Sequence, residues 1–167
     1  MVDIIELIYE DHVWFRRYFF YLDAARTDEE RAAIWEPLAS RLDAHAQAEE
    51  EIFYPALLQE AEHGDPEEET DDAIGDHNDI RDAVRASRSA SVGSEEWWKA
   101  VTKAREANGE HLEEEEREGM TGVIRDVSLE ERHDMGMRWL QFYAVHWGGA
   151  GVDDSDKDPE EYIAENS

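Results

Sequence analysis

Four long segments of this chain repeat apolar residues at steps of three and four, and each carries one histidine inside its apolar stripe. Such a pattern gathers the apolar residues on one helix face, which must then be buried against a neighbour. The first segment runs from about Asp3 to Ala25, with Ile5, Ile8, His12, Phe15, Phe19 and Leu22 in its stripe. The second opens at a capping box, Thr27 to Glu30, and ends near His63 and Gly64. Its inward face carries Leu38, Leu42, His45, Glu49, Ile52, Phe53 and Ala56. Pro37 is expected to kink this segment or open a new helix, and Pro55 to bend it just beyond Glu49. The third begins at Asp65-Pro66, an N-cap followed by proline at the first helical position. It carries Ala73, His77, Ile80 and Val84 and fades in the polar loop from Ser87 to Gly93. The fourth starts at Ser94, aligns Trp97, Val101, Ala104, Ala107, His111 and Glu115, and ends at Gly119 and Gly122.

These elements predict an all-α fold, an up-down-up-down four-helix bundle. A second capping box, Ser128 to Glu131, predicts an additional short C-terminal helix to about Trp147, with Met137, Leu140, Tyr143 and Ala144 packing. The domain is expected to span residues 1–147. From Gly148 the chain turns glycine-rich and then acidic, so residues 148–167 read as a mobile tail. No strand-like alternation and no phosphate-binding glycine loop occurs.

The polar residues on the inward faces are the informative ones. His45 and Glu49, and again His111 and Glu115, are spaced so that a nitrogen and a carboxylate point the same way. His12 and His77 add one imidazole each from the other two helices. The intervals between helices are similar, so all six groups can meet at one depth. Buried histidine and glutamate are costly unless paired or metal-bound, and four such helices together predict a metal site. Imidazole and carboxylate suit iron, zinc or manganese, and the absence of thiolate argues against a closed structural zinc site. Six donors exceed one four-coordinate ion and fit two octahedral-leaning ions, with Glu49 and Glu115 as bridges. Iron is the first choice.

Other candidates read more simply. His63 caps a helix end or meets solvent, and His133 and His146 lie outside the four-helix pattern. Glu113, Glu114 and Glu116 point away from the His111–Glu115 face and are expected to be solvated. Trp14, Phe15 and Phe19 are packing residues that keep water from the metals, and nothing places a substrate groove beside the carboxylates.

Taken together, the chain resembles the hemerythrin-like family of HHE cation-binding domains. The residues that carry the resemblance are Asp11-His12, His45-x-x-x-Glu49 with Ile52 to Pro55, Asp76-His77, and His111-x-x-x-Glu115 followed by Glu116-Arg117. They cover roughly Ile4 to Gly119. The resemblance implies a bundle holding a non-haem di-iron centre with carboxylate and oxo or hydroxo bridges. It also implies dioxygen binding at an open position in carriers, and sensing, iron homeostasis or nitric oxide and peroxide responses in other relatives. Oxygen carriers of the family have two histidines one turn apart on the third helix. Here Ala73 and Arg81 flank His77, so four histidines match rather than five, and water, an outside ligand, His63, Asp72 or Asp76 is left to complete the set. A more open iron favours irreversible oxidation over reversible carriage.

Composition narrows the partners. The formal net charge is −28, with only three lysines, Lys99, Lys103 and Lys157. Such a surface repels nucleic acid and anionic membrane, and it fits a protein hydrated in concentrated salt, where self-repulsion is screened. There is no cysteine, no basic leader and no apolar run long enough to span a bilayer, so a cytoplasmic protein is expected. The apolar surroundings of His12, Ile52, Phe53 and Val101 suit a small neutral gas such as dioxygen. The first-ranked function is therefore binding or sensing of a diatomic ligand, more a binding protein than an enzyme, with no catalytic residue assigned. Iron homeostasis or scavenging of nitric oxide or peroxide stands as the alternative. A sensor of this length would act through a separate protein partner.

Overall fold

Each major helix begins where a side-chain oxygen takes a free backbone amide. The computed structural model describes all residues, 1–167. Asp3 caps α1 (Ile4–Ala24), and Thr27 with Glu30 forms the expected capping box of α2 (Asp28–Ala48). Asp65 caps α4 (Pro66–Arg88) and Ser94 caps α5 (Glu95–Arg117). Satisfying these orphan donors fixes where each helix starts. Pro37 lies inside α2 without ending it.

Just beyond α2 the backbone widens into one π turn, Glu49–Phe53, before α3 (Tyr54–Glu60). Pro55 supplies the reason. It has no N–H to offer the preceding turn, so the carbonyls of Glu50 and Glu51 lose partners. The Tyr162 hydroxyl donates to the Glu50 carbonyl at 2.6 Å, and Arg138 Nη2 donates to that of Glu51 at 2.9 Å. The disturbance expected from Pro55 is this π turn, held by side chains from the far end of the chain.

The fourth segment ends at Arg117, just before Gly119 as expected, but Gly122 lies inside a further helix. A break at Glu118 is followed by α6 (Gly119–Asp126). A Cβ on Gly122 would meet Leu57 Cδ1 at 3.3 Å, so this glycine serves close packing of α6 on α3 rather than termination. The additional helix α7 (Leu129–Val145) starts at its capping box as expected, but it buries a different face. Met135, Gly136, Trp139 and Phe142 are inside, while Met137 and Leu140 are 39% and 43% exposed. Apolar residues nearly encircle this helix, so periodicity cannot select its buried side. Contact with α1 selects it: a Cβ on Gly136 would lie 2.9 Å from Val2 Cγ1 and 3.2 Å from the Ile4 backbone nitrogen.

Residues 148–167 are not a loose extension. Gly148 and Gly149, with φ of 64° and 81°, turn the chain back across the bundle. Gln47 then accepts from the Asp153 amide, Asn78 pairs with the Lys157 backbone, and α8 (Pro159–Asn166) packs on α4 with Tyr162 buried. Backbone hydrogen bonds and one aromatic anchor hold this acidic segment despite the like charge beneath it.

Two apolar clusters fill the interior. One gathers Phe15, Phe19, Trp35, Leu38, Trp97 and Val101, and the other gathers Ile4, Ile8, Ile52, Phe53, Ile74 and Trp139. Between them lies a polar layer. Neighbouring helices meet through Phe19 and Trp35 (α1 and α2), Trp35 and Ser87 (α2 and α4), Lys103 and Asp79 (α4 and α5), and Arg105 with the Phe19 carbonyl (α5 and α1). No helix is long and apolar enough to cross a membrane.

Candidate metal centre

The polar layer is built from the six residues singled out by spacing. His12, His45, Glu49, His77, His111 and Glu115 are all buried, and their ligating atoms form two groups. In the first, His12, His45, Glu49 and Glu115 each bring one such atom within 4.8 Å of the others. Glu49, His77 and His111 form the second by the same measure. Glu49 belongs to both: its Oε1 lies 2.7 Å from His45 Nε2, and its Oε2 lies 3.1 Å from His77 Nε2 and 3.5 Å from His111 Nε2. Glu115 is placed differently. Its Oε2 lies 3.1 Å from His12 Nε2, while its Oε1 accepts from the Tyr54 hydroxyl at 3.0 Å. Only one Glu115 oxygen therefore faces a ligand group.

The imidazoles turn their Nε2 atoms to the centre because carboxylates hold their other nitrogens. His12 Nδ1 donates to Glu116 at 2.9 Å, His45 Nδ1 to Asp11 at 3.1 Å, and His77 Nδ1 to Glu50 at 2.9 Å. His111 Nδ1 has Asp76 behind it at 3.7 Å, too far for a hydrogen bond. A proton held at Nδ1 leaves a lone pair at Nε2, the arrangement that metal-binding histidines use. These backing carboxylates are what the spacing missed. Glu116, expected to be solvated, folds back under His12 and is also paired with Arg16 at 2.8 Å. Glu50 carried no signal beyond standing next to Glu49. Asp11 and Asp76 each precede a histidine, and that adjacency was their only trace.

Burial alone would deprotonate the imidazoles, but the carboxylates around them outweigh it. Glu49 and Asp11 push His45 up to about 10, Glu115 and Glu116 raise His12, and Glu49 and Glu50 raise His77. Burial, reinforced by the Glu115 and Glu49 charges, raises Tyr54 and keeps it a neutral donor. The sign of the pH response follows. Raised histidines stabilise the metal-free fold fully below their ordinary value of 6.5, and this stability is lost as pH rises through about 10 for His45. Metal requires the deprotonated rings, so its affinity grows over the same span. The melting temperature of chelator-stripped protein should fall over this range, while the stabilisation added by metal should increase. A flat profile for the stripped protein would contradict this assignment.

The donor set fits a metal on an independent count. His12 Nε2, His45 Nε2, Glu49 Oε1 and Glu115 Oε2 are buried polar atoms without a hydrogen-bond partner, although they lie beside one another. Charge attraction holds them together, but none completes a hydrogen bond, and a cation at that point would satisfy all four. A family model for the hemerythrin HHE cation-binding domain matches residues 3–120. The chain belongs to that family. No curated protein and no solved structure gives a significant match. The hemerythrin match takes in all six donors and stops before α7 and α8, so the helices that cover the outside of the bundle lie beyond it.

Against the hemerythrin pattern, the position one turn before His77 is Ala73, and it opens onto a cavity of about 460 Å³. The cavity reaches Tyr54, His111 and Glu115, and its outer lining includes Glu69, Asp72 and Glu118. None of the proposed substitutes joins either ligand group. His63 sits at the cavity mouth on Asp126 at 3.0 Å, Asp72 lines the wall, and Asp76 stands behind His111. On the other side Arg81 is fully buried and donates to Glu50 at 2.8 Å. His133 and His146 bond backbone carbonyls far from the centre.

Proposed function

We propose that this hemerythrin-like chain is a non-haem di-iron protein that binds or senses dioxygen or a related small ligand, with His12, His45, Glu49, His77, His111 and Glu115 as its metal ligands. One observation carries the reading: four imidazoles and two carboxylates converge in a buried layer, with Glu49 common to both groups. Iron suits imidazole and carboxylate donors without thiolate. Bound iron would supply one-electron chemistry and an exchangeable position for a small ligand. The chain's own part is to orient donors and limit access. Asp11, Glu116 and Glu50 hold three imidazoles by Nδ1, Tyr54 holds Glu115, and the two apolar clusters keep bulk water from the layer. The helix contacts described above pair low-numbered with high-numbered residues, which supports the up-down-up-down order.

The test is elemental analysis with an ultraviolet–visible spectrum in reduced, oxygenated and oxidised states. Two irons per chain and absorption bands that appear with oxygen and reverse on its removal are expected. An iron-loaded protein whose spectrum ignores oxygen would end the binding reading.

The acidic cavity favours one alternative, iron handling. Its carboxylates draw cations toward His111 and Glu115 and repel anions. If iron traffic is the role, iron occupancy should follow supply and Asp72→Asn should slow ferrous loading. Scavenging of nitric oxide or peroxide would instead show as turnover with an electron donor. The reading also takes the protein to be cytoplasmic and adapted to concentrated salt. With a net charge of −28, refolded protein should gain stability from low to multimolar KCl as self-repulsion is screened. Equal or greater stability at low salt would remove the salt adaptation.

A further inference from the structure

A groove between α1, α2 and α7 plays no part in the ligand groups. It encloses about 870 Å³, within the range of small-molecule sites. Its walls are aromatic: Trp14 from α1, Trp139 and Tyr143 from α7, and Trp147 at the lip, 85% exposed. Arg41 is the only arginine or lysine in the lining. Its guanidinium carbon lies 5.0 Å from the ring centres of both Trp14 and Tyr143. Asp11 accepts from Arg41 Nε at 3.1 Å and from Nη2, which leaves Nη1 without a protein partner on a side chain that is 37% exposed.

Rings stack on rings, and a guanidinium edge seeks an acceptor oxygen. Charge then narrows the class of ligand. Glu10, Asp11 and Glu36 line the same groove of a strongly acidic protein, so an anion is repelled. We propose that this groove binds a neutral, planar aromatic carbonyl compound of the quinone class, its ring against the free face of Trp147 and its carbonyl oxygen on Arg41 Nη1. The assignment does not depend on which metal the centre holds. The groove is nevertheless close to that centre. Asp11, which holds Arg41, also accepts from His45 Nδ1, and Trp139 meets the His45 ring edge-on at 5.4 Å. Trp139, only 2% exposed, stands between the groove and that candidate metal ligand.

The test titrates menadione (2-methyl-1,4-naphthoquinone) into the full chain while tryptophan fluorescence is followed. Saturable quenching at one site is expected. Trp147→Ala, at the exposed lip, should weaken binding about three- to tenfold, the worth of one aromatic pair. Ala144→Phe places a ring in the groove from an exposed helical position and should abolish the saturable phase without changing helical circular dichroism. Anthraquinone-2-sulfonate, planar but charged, should bind more weakly than menadione. Quenching that never saturates, or a saturable phase unchanged in Ala144→Phe, would overturn the proposal. Sedimentation showing a dimer that Ala144→Phe dissociates would also overturn it, since a second copy would then cover the groove.

Discussion

Glu49→Ala is expected to empty both ligand groups, which on the proposed di-metal reading takes metal content from two ions per chain to none. Glu49 is fully buried and uses both oxygens, Oε1 at 2.7 Å from His45 and Oε2 at 3.1 Å from His77. Its removal takes a donor from each group at once and leaves the second with only the His77 and His111 imidazoles. Loss of a partner that merely orients a ligand already costs about 10–100-fold in metal affinity, and loss of a shared donor costs more. Glu115→Ala provides the contrast. One Glu115 oxygen faces the His12–His45 group and the other is held by Tyr54. That variant should lose the ion of the first group preferentially and keep the second. Elemental analysis after loading, with circular dichroism to show that the helices persist, separates the two cases. Two ions retained by Glu49→Ala would refute the shared carboxylate.

Arg81→Leu is expected to cost about 3–5 kcal/mol of folding stability, the range for breaking one side of a buried ion pair. At this chain length that corresponds to a melting temperature lower by on the order of 10 °C. Arg81 is wholly inaccessible and donates from Nη2 to Glu50 Oε2 at 2.8 Å. Burial alone would raise the Glu50 carboxyl, but His77 and Arg81 outweigh it and hold it at about 2. A lowered carboxylate stabilises the fold above its ordinary value of 4.5 and loses that effect as pH falls through about 2. Leucine at position 81 would strand much of that charge, with His77 and the Lys157 amine at 3.1 Å as the remaining partners. In a Glu50→Gln background the cost of Arg81→Leu should shrink, because the stranded charge is gone. A cost below about 1 kcal/mol, or one independent of Glu50, would show that the pair contributes little.

The pairing also bears on the metal centre. Glu50 accepts the His77 proton on one oxygen and the Arg81 proton on the other. Arginine one turn after His77 thus helps fix the imidazole it follows. Alanine one turn before it leaves the wall of the acidic cavity open. The two positions that flank His77 therefore do different work, one supporting its imidazole and one leaving room beside it.

Much of the candidate site was legible before any tertiary contact was known. His45 with Glu49, and His111 with Glu115, share a face because four residues make about one helical turn. His12 and His77 were marked by standing inside otherwise apolar stripes. The backing residues were not legible, because each reaches across to another helix. Glu116 and His12 are 104 residues apart, Asp11 and His45 34, and Glu50 and His77 27. Periodicity within one helix carries no information about such pairs. Glu116 sits one residue past Glu115, so its stripe assigned it to solvent until α1 packed over it.

By itself the sequence determined the four main helical segments and the additional helix α7, their caps, the four inward histidines and the two histidine–carboxylate repeats, since all of these follow from spacing along one chain direction. Only the tertiary structure decided that Glu49 serves both ligand groups while Glu115 gives one oxygen to Tyr54. It also decided that α7 buries Trp139 rather than Leu140, and that the acidic C-terminal segment docks through Tyr162. Each of these outcomes depends on which side chain from a distant segment arrives at the same point. In a helix as apolar all round as α7, or a C-terminal segment as rich in acids as residues 153–165, local pattern leaves several faces nearly equal, and packing chooses among them.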